Sequence, residues 1–465
     1  MKKNIWNIIY IVVFIGVLAS LSLLMPFFKS DMSREKREAA SFPKPFTEKG
    51  VNLKFFKQLD DYFSDNFAFR QELSTADAVI KAKLFKTSNQ ERVVLGSDGW
   101  LYYSESMHDY FGDDVISDRR AWRTARVIKL IQEHCEERGV RFLFTVAPNK
   151  HTLYPEHMPA NCLKTDQPTN YDKLLSCVAS QQVNFLDLKE AFLNDSRVMY
   201  HKYDSHWNNE GAAYAVDKML NALDKSHYSY EKEPYHVEKS HRGDLYNIIY
   251  PSIDELDDNV IYDKEHEYIF VGPGNDVEAP MLMTKNAGKE GSLVMFRDSY
   301  GNASIPYIAD EYMDGTFTKG QPADLDLADT KKADTVIYEI VERNITWITE
   351  YVPYMDAIEA KIQSDVTEAT DPDTTVHIED RGKRFLVYGH ADDSFCDVDT
   401  PIYVRITDDS VHTYEAFPAL YEQSAEDYEG DNPYGMYIDK SLLSDKATVS
   451  VITKKDGICY EHKVK

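Results

Sequence analysis

Uncharged residues run unbroken from Ile5 to Phe28, behind Lys2 and Lys3. A helix needs about 20 such residues to cross a hydrocarbon layer of about 30 Å. The run is longer than a signal-peptide core of roughly 7–15 residues, and Ser20 to Pro26 offers a poor small-x-small cleavage site. The pattern predicts an uncleaved anchor over residues 1–30, with the lysines on the cytoplasmic side and the rest of the chain outside. Residues 31–90 read as a juxtamembrane linker and helical entry segment. The charged stretch Lys29 to Glu38 leads to Pro43 and Pro45, and Phe55, Phe56, Leu59, Tyr62 and Phe63 then recur at helical spacing.

From Val93 the pattern shortens. Val93-Val94-Leu95 and Trp100 to Tyr103 flank Gly96-Ser97-Asp98-Gly99 as a hairpin. A helix carrying Trp122, Ala125, Val127, Ile128, Leu130 and Ile131 closes at Gly139 and is followed by the apolar run Arg141 to Val146. A second helix from about Tyr171 to Gln182 precedes Val183 to Leu188, and later apolar runs at 293–296 and 335–341 each precede helical sequence. Helices alternating with nearly continuous apolar strands predict an α/β domain over 91–368, a parallel sheet with helices on both faces. After Asp371-Pro372-Asp373, short runs at 384–388, 402–406 and 448–452 separated by turn residues predict a small β-sandwich over 372–465.

The formal net charge of −26 argues against nucleic acid, which is bound through clustered Lys and Arg. Of the five cysteines, Cys162 with Cys177 and Cys396 with Cys459 are candidate pairs in an oxidising compartment, and Cys135 is left over as a small apolar residue. No cofactor motif is evident.

The candidate chemistry lies in two segments. Ser299, in Phe296-Arg297-Asp298-Ser299-Tyr300-Gly301-Asn302, follows an apolar run where a strand gives way to a turn. Asp204 and His206 lie two positions apart in an extended loop, on one side of it. A serine hydroxyl is a weak nucleophile unless an imidazole takes its proton and a carboxylate fixes the imidazole tautomer. Ser299, His206 and Asp204 would supply nucleophile, base and orienter. A helix beginning after Ser299 would expose backbone N–H groups of Ser299 and Gly301 to an oxyanion, with the Asn302 amide as a further donor and Gly301 allowing substrate to approach. A helix capped by Asn208 or Asn209, with Ala212, Ala215, Val216, Met219 and Leu223 on one face, would fix the loop. The plain alternative makes Asp298 and Ser299 helix-capping residues and His206 a packing partner of Trp207. A metal reading of Asp204 and His206 lacks an identifiable third ligand, with His151, His157 and His201 nearby in sequence; no metal is assigned.

Asp204-Ser205-His206-Trp207-Asn208 to Gly211, Arg297 to Asn302, the Val94 to Tyr102 hairpin, Ala147-Pro148-Asn149-Lys150 with Tyr154-Pro155-Glu156, and Glu342-Arg343-Asn344 together resemble the DHHW proteins. These are relatives of the alginate O-acetylation proteins, with a domain similar to SGNH hydrolases. The resemblance covers roughly residues 35 to 360. It implies an SGNH-hydrolase-like, flavodoxin-like fold and a membrane-anchored extracytoplasmic O-acetyltransferase or esterase acting on a polysaccharide. By match, Ser299 is nucleophile, His206 base and Asp204 its orienter. The acetyl donor would be a multispanning membrane O-acyltransferase. Arg297 stands where such enzymes commonly have glycine, and Ser205 is the middle residue of the Asp-x-His motif. Lys150, Arg297 and Arg343 are substrate-binding candidates. A noncatalytic cell-wall or polysaccharide-binding surface protein is the alternative from another class.

Overall fold

The computed structural model describes residues 2–28, 32, 38–47, 50–362, 365–369, 373–420, 432–444 and 446–463. The charged stretch 29–38 and the Asp371-Pro372 break fall largely outside the described residues. Helix α1 (Lys2–Leu24) is long and apolar enough to cross a membrane, and its span from Ile5 to Leu24 is not buried against the rest of the chain.

Seven strands form the central sheet: β1 (Arg141–Ala147), β2 (Phe185–Leu186), β3 (Ile269–Val271), β4 (Met281–Lys285), β5 (Ser292–Phe296), β6 (Asp314–Thr318) and β7 (Thr335–Val341). Their spatial order is β2-β1-β7-β5-β6-β4-β3. The first five in that order are mutually parallel, whereas β4 runs antiparallel to β6 and β3 antiparallel to β4. The sheet is therefore mixed. The antiparallel edge was illegible because β3 and β4 are short and partly exposed, without the apolar continuity of β1, β5 and β7.

Helices α2 (Asp118–Glu137), α3 (Asn170–Ser180), α4 (Asn209–Ala222) and α5 (Gly301–Ala309) cover the two faces. Alternate residues of each strand point to opposite sides. Phe142, Phe144, Val294 and Val336 share a core with α2 and α3, whereas Leu143, Leu293, Met295 and Ile337 share one with α4 and α5. Ser117 caps α2 by accepting the Arg120 N–H, and Gly139 (φ +70°) turns the chain out of it. Val93–Leu95 and Leu101–Tyr103 pair as an antiparallel hairpin.

The C-terminal region folds as a six-stranded sheet and a three-stranded sheet around a common core that includes Val387, Val404, Tyr414, Met436 and Val451. It packs onto the α2 side through Leu386, Phe417 and Tyr437. Arg126 of α2 donates two bonds to the buried Glu415 carboxylate, at 2.6 and 2.7 Å. All five cysteines are free. Cys162 sits against the Trp100–Tyr102 cluster and Cys177 against the core of α2 and α3, so that candidate pair is split between two packing environments; Cys396 and Cys459 are each buried as thiols.

Candidate active site

Ser299 follows β5 at the carboxyl end of the parallel strands, between the ends of β6 and β7. The turn is fixed at both ends. Arg297 N–H bonds to the Thr318 carbonyl at 2.9 Å. The Asp298 carboxylate accepts Val341 N–H at 2.7 Å, the Asn344 amide at 3.2 Å and Tyr300 N–H at 2.9 Å. Asp298 is thus a clamp between the serine turn and the end of β7.

The second segment is a tight loop closed by the isolated bridge between Tyr200 and Trp207. Asn208 caps α4 by accepting Gly211 N–H at 2.9 Å. A Cβ on Gly211 would stand 2.3 Å from the Met199 carbonyl oxygen, so only glycine lets α4 start this close to the loop. Two bonds join loop and serine turn: the Tyr300 hydroxyl donates to the Ser205 carbonyl at 2.6 Å, and the buried Trp207 indole N–H donates to the Tyr300 carbonyl at 2.9 Å.

These ties bring Ser299 Oγ within 2.8 Å of His206 Nε2, while His206 Nδ1 lies 2.7 Å from Asp204 Oδ1. Asp204 is buried, and a carboxylate there accepts only, so Nδ1 carries the proton and Nε2 is left to accept from the serine. Burial by itself would push the His206 ring down. The Asp204 carboxylate and its hydrogen bond, helped by Asp244, outweigh this and leave its pKa raised. Burial likewise opposes ionisation of Asp204, yet His206 and His241 hold it well below the usual carboxylate range. Among the described residues, the Ser299 and Gly301 N–H groups donate to no protein acceptor.

Beside Ser299 opens a cavity of about 320 Å³, whose wall includes Tyr103, Lys319, Glu339, Arg343 and Trp347. The Arg343 guanidinium lies over the rings of Tyr103 and Tyr300 at 5.3 and 5.4 Å. Glu342, its sequence neighbour, turns away to accept Asn149 N–H at 2.7 Å and the Thr152 hydroxyl at 2.8 Å. Arg343 makes no ion pair among the described residues and presents its charge to the cavity.

The other two basic candidates are built into the scaffold. Lys150 is buried, with Nζ donating to the carbonyls of Leu101, Lys202 and Asp204 at 2.7, 2.9 and 3.0 Å. Its burial pushes the ammonium down to about 7, and its role is to tie the histidine loop to the hairpin. Arg297 is 4% exposed and donates to the carbonyls of Asp298, Val277 and Ala279 and to the Asn302 side-chain oxygen. Asn302 is therefore held by Arg297 through its carbonyl oxygen. Gly301 meets a packing constraint: a Cβ there would stand 2.6 Å from Arg297 Cδ and 3.2 Å from Glu339 Oε2. The nearby histidines also have separate places. His151 Nε2 lies 2.6 Å from the Ser106 carbonyl, and His157 stacks on Trp100. Among the described residues, Asp204, His206 and Asp244 converge as a group of ligand-type side chains, and Asp204 and His206 face each other directly across a hydrogen bond.

Fold and site together define a class, an α/β domain with a serine, histidine and aspartate linked at the carboxyl end of its parallel strands. More particularly, residues 93–255 match the family model of the SGNH hydrolase-like domain of acetyltransferase AlgX, a stretch that contains Asp204 and His206 and ends before Ser299. A probable alginate O-acetylase AlgJ of Pseudomonas fluorescens is 24% identical over 224 residues, covering 46% of this chain and 55% of that protein. The chain spans about half the length of the curated relatives it matches. Among solved structures, Bacillus cereus PatB1 aligns with a TM-score of 0.42 and 17% identity, over 53% of this chain and 95% of that one. A DHHW family protein from Eubacterium siraeum aligns with a TM-score of 0.38 and 15% identity, over 55% and 95% respectively. Over these stretches the chain is similar to the alginate O-acetylation proteins, the group its motifs resemble.

Four features of the site escaped the sequence: the Asp298 clamp, the Tyr300 hydroxyl, Asp244, and His241, whose Nε2 lies 2.9 Å from Asp204 Oδ2. Tyr300 adjoins the serine and was within reach. His241 ends a strand pattern with no motif around it.

Proposed function

We propose that this protein is a serine-dependent O-acetyltransferase acting on a polysaccharide outside the cytoplasm, anchored by α1. The unbroken chain from Asp204 Oδ1 through His206 to Ser299 Oγ, with steps of 2.7 and 2.8 Å, carries the reading. A site that only bound a polymer would have no need of a serine aligned on a properly oriented imidazole.

In the first half-reaction, His206 Nε2 takes the Ser299 proton as Oγ attacks the acyl carbonyl. The oxyanion forms beside the Ser299 and Gly301 N–H groups. Collapse expels the donor's leaving group, which receives the proton from His206, and leaves an acyl-serine. In the second, His206 deprotonates a sugar hydroxyl, which attacks the ester and restores Ser299. Water in that place would give an esterase from the same residues. The Arg343 charge and the Tyr103 and Trp347 rings give the cavity surfaces suited to a sugar. An anchored enzyme would stand near a multispanning membrane acyltransferase that supplies acetyl groups. The curated AlgJ relatives, named as probable alginate O-acetylases, support the acetyl-to-polysaccharide direction.

The test is incubation of the full chain in detergent with an acetyl ester and a panel of glycan acceptors, followed by mass spectrometry. An acetyl adduct on the peptide containing Ser299, and its loss with turnover in Ser299→Ala, is the expected result. Equal turnover by Ser299→Ala and the native chain would refute the assignment.

A further inference from the structure

The torsion that sets a carboxylate's plane is broad, so a buried aspartate does not by itself fix which oxygen faces its histidine. Here Asp204 accepts four hydrogen bonds. Oδ1 takes the His206 Nδ1–H at 2.7 Å and the His206 backbone N–H at 3.0 Å. Oδ2 takes the Asp244 backbone N–H and His241 Nε2, each at 2.9 Å. Apart from His206, His241 is the side chain that donates to this carboxylate among the described residues.

His241 ends the strand Tyr235–His241, which pairs with Asp257–Tyr262, so a hairpin outside the central sheet delivers it. Its ring lies flat on that of His201, with centroids 3.6 Å apart and planes 7° apart. His201 is buried, its Nδ1 has no hydrogen-bond partner, and burial together with the facing His241 pushes its pKa down to about 3. His201 is therefore a neutral flat backing that fixes the plane of the His241 ring. Because Asp204 only accepts, His241 Nε2 must carry a proton.

Resting on the acyl-transfer reading above, we infer that His241 is a positioning residue of the triad: its Nε2–H on Oδ2, held in plane by His201, locks Asp204 so that Oδ1 stays on His206. The charged and titratable groups around this lock are Asp204, His201, His206, Asp244, Asp257 and Lys150. Removing the donor has two effects. The carboxylate gains freedom to turn, which lowers turnover. It also loses a bond that spreads its charge, so whenever it faces His206 it holds the imidazolium more strongly.

The experiment compares His241→Leu and His241→Gln in the full chain in detergent, using acetyl-ester turnover against pH and the low-field proton resonance of His206 Nδ1–H. For His241→Leu, kcat/KM is expected to fall about ten- to a hundredfold, the range of a hydrogen bond to a charged group. The acid limb of its pH profile should move upward and the Nδ1–H resonance should shift. His241→Gln, whose amide N–H can replace the donor, should recover most of the rate and the native resonance. Equal losses in both variants, or no change in either, would overturn the inference. If His241→Leu does not fold, His241→Asn, too short to reach Oδ2, takes its place against His241→Gln. The resonance is read without substrate, so failure of the acyl-transfer reading, shown by an active Ser299→Ala, is separable from failure of this one.

Discussion

Replacing Asp204 by asparagine tests the donor arrangement directly. Each carboxylate oxygen faces two donors: His206 Nδ1–H and N–H on one side, His241 Nε2 and Asp244 N–H on the other. An asparagine must therefore turn its NH₂ toward two N–H groups whichever way it flips, and two charge-assisted bonds are lost. At about 1.5–3 kcal/mol each, the loss is about 3–6 kcal/mol, shared between the folded state and the transition state. If the amide oxygen stays on the His241 side, the His206 tautomer reverses and Nε2 can no longer accept from Ser299. The expected result is a fall in kcat/KM of about 10³- to 10⁴-fold, the order that follows loss of a triad aspartate. With the carboxylate gone, burial of the His206 ring is opposed mainly by the more distant Asp244, so the acid limb of residual activity should move to lower pH. The stability cost has its own pH signature. Asp204 titrates well below its unfolded value, so its contribution is present above about pH 4 and is lost as pH falls through the lower folded value. The gap in melting temperature between native and Asp204→Asn chains should narrow in acid. An Asp204→Asn enzyme within tenfold of native kcat/KM, or one whose acid limb stays in place, would refute the reasoning.

Gly301→Ala should lower the melting temperature and reduce turnover together, because the new methyl meets Arg297 Cδ and Cβ at 2.6 and 2.8 Å and displaces the serine turn; overpacking of this kind costs about 1–3 kcal/mol, measurable by thermal unfolding. Glu342→Gln should flatten the stability–pH curve between about pH 4.5 and 7. Burial raises the Glu342 carboxyl to about 7, so its contribution is complete below the unfolded value near 4.3 and is lost as pH rises through 7, whereas glutamine keeps an acceptor and does not titrate. Thermal melts of both chains across that range check it.

The apolar runs at β1, β5 and β7 were legible because buried parallel strands carry little else, and the helices between them were legible from their spacing and caps. Strands β3 and β4 were not, because a strand's direction in a sheet leaves no mark on its composition. Ser299, His206 and Asp204 could be read because their chemistry requires those residue types and the loop and turn around them have recognisable neighbours. Lys150 and Arg297 show the limit. A basic side chain in a motif looks the same whether it faces a ligand or three carbonyl groups, and burial alone separates the cases.

By itself, then, the sequence determined the apolar N-terminal helix, the alternating α/β core and the identity of the three linked residues, all encoded in local periodicity and residue type. Only the tertiary structure decided that Arg343 faces the cavity beside Ser299 without an ion pair among the described residues, that Lys150 is held by three carbonyl groups while Arg297, which also lines the cavity, is held by three carbonyls and Asn302, and that His241 reaches Asp204 from a separate hairpin. The reason is physical: hydrogen-bond partnership and burial depend on the convergence of segments far apart in the chain, and no single segment records where the others will lie.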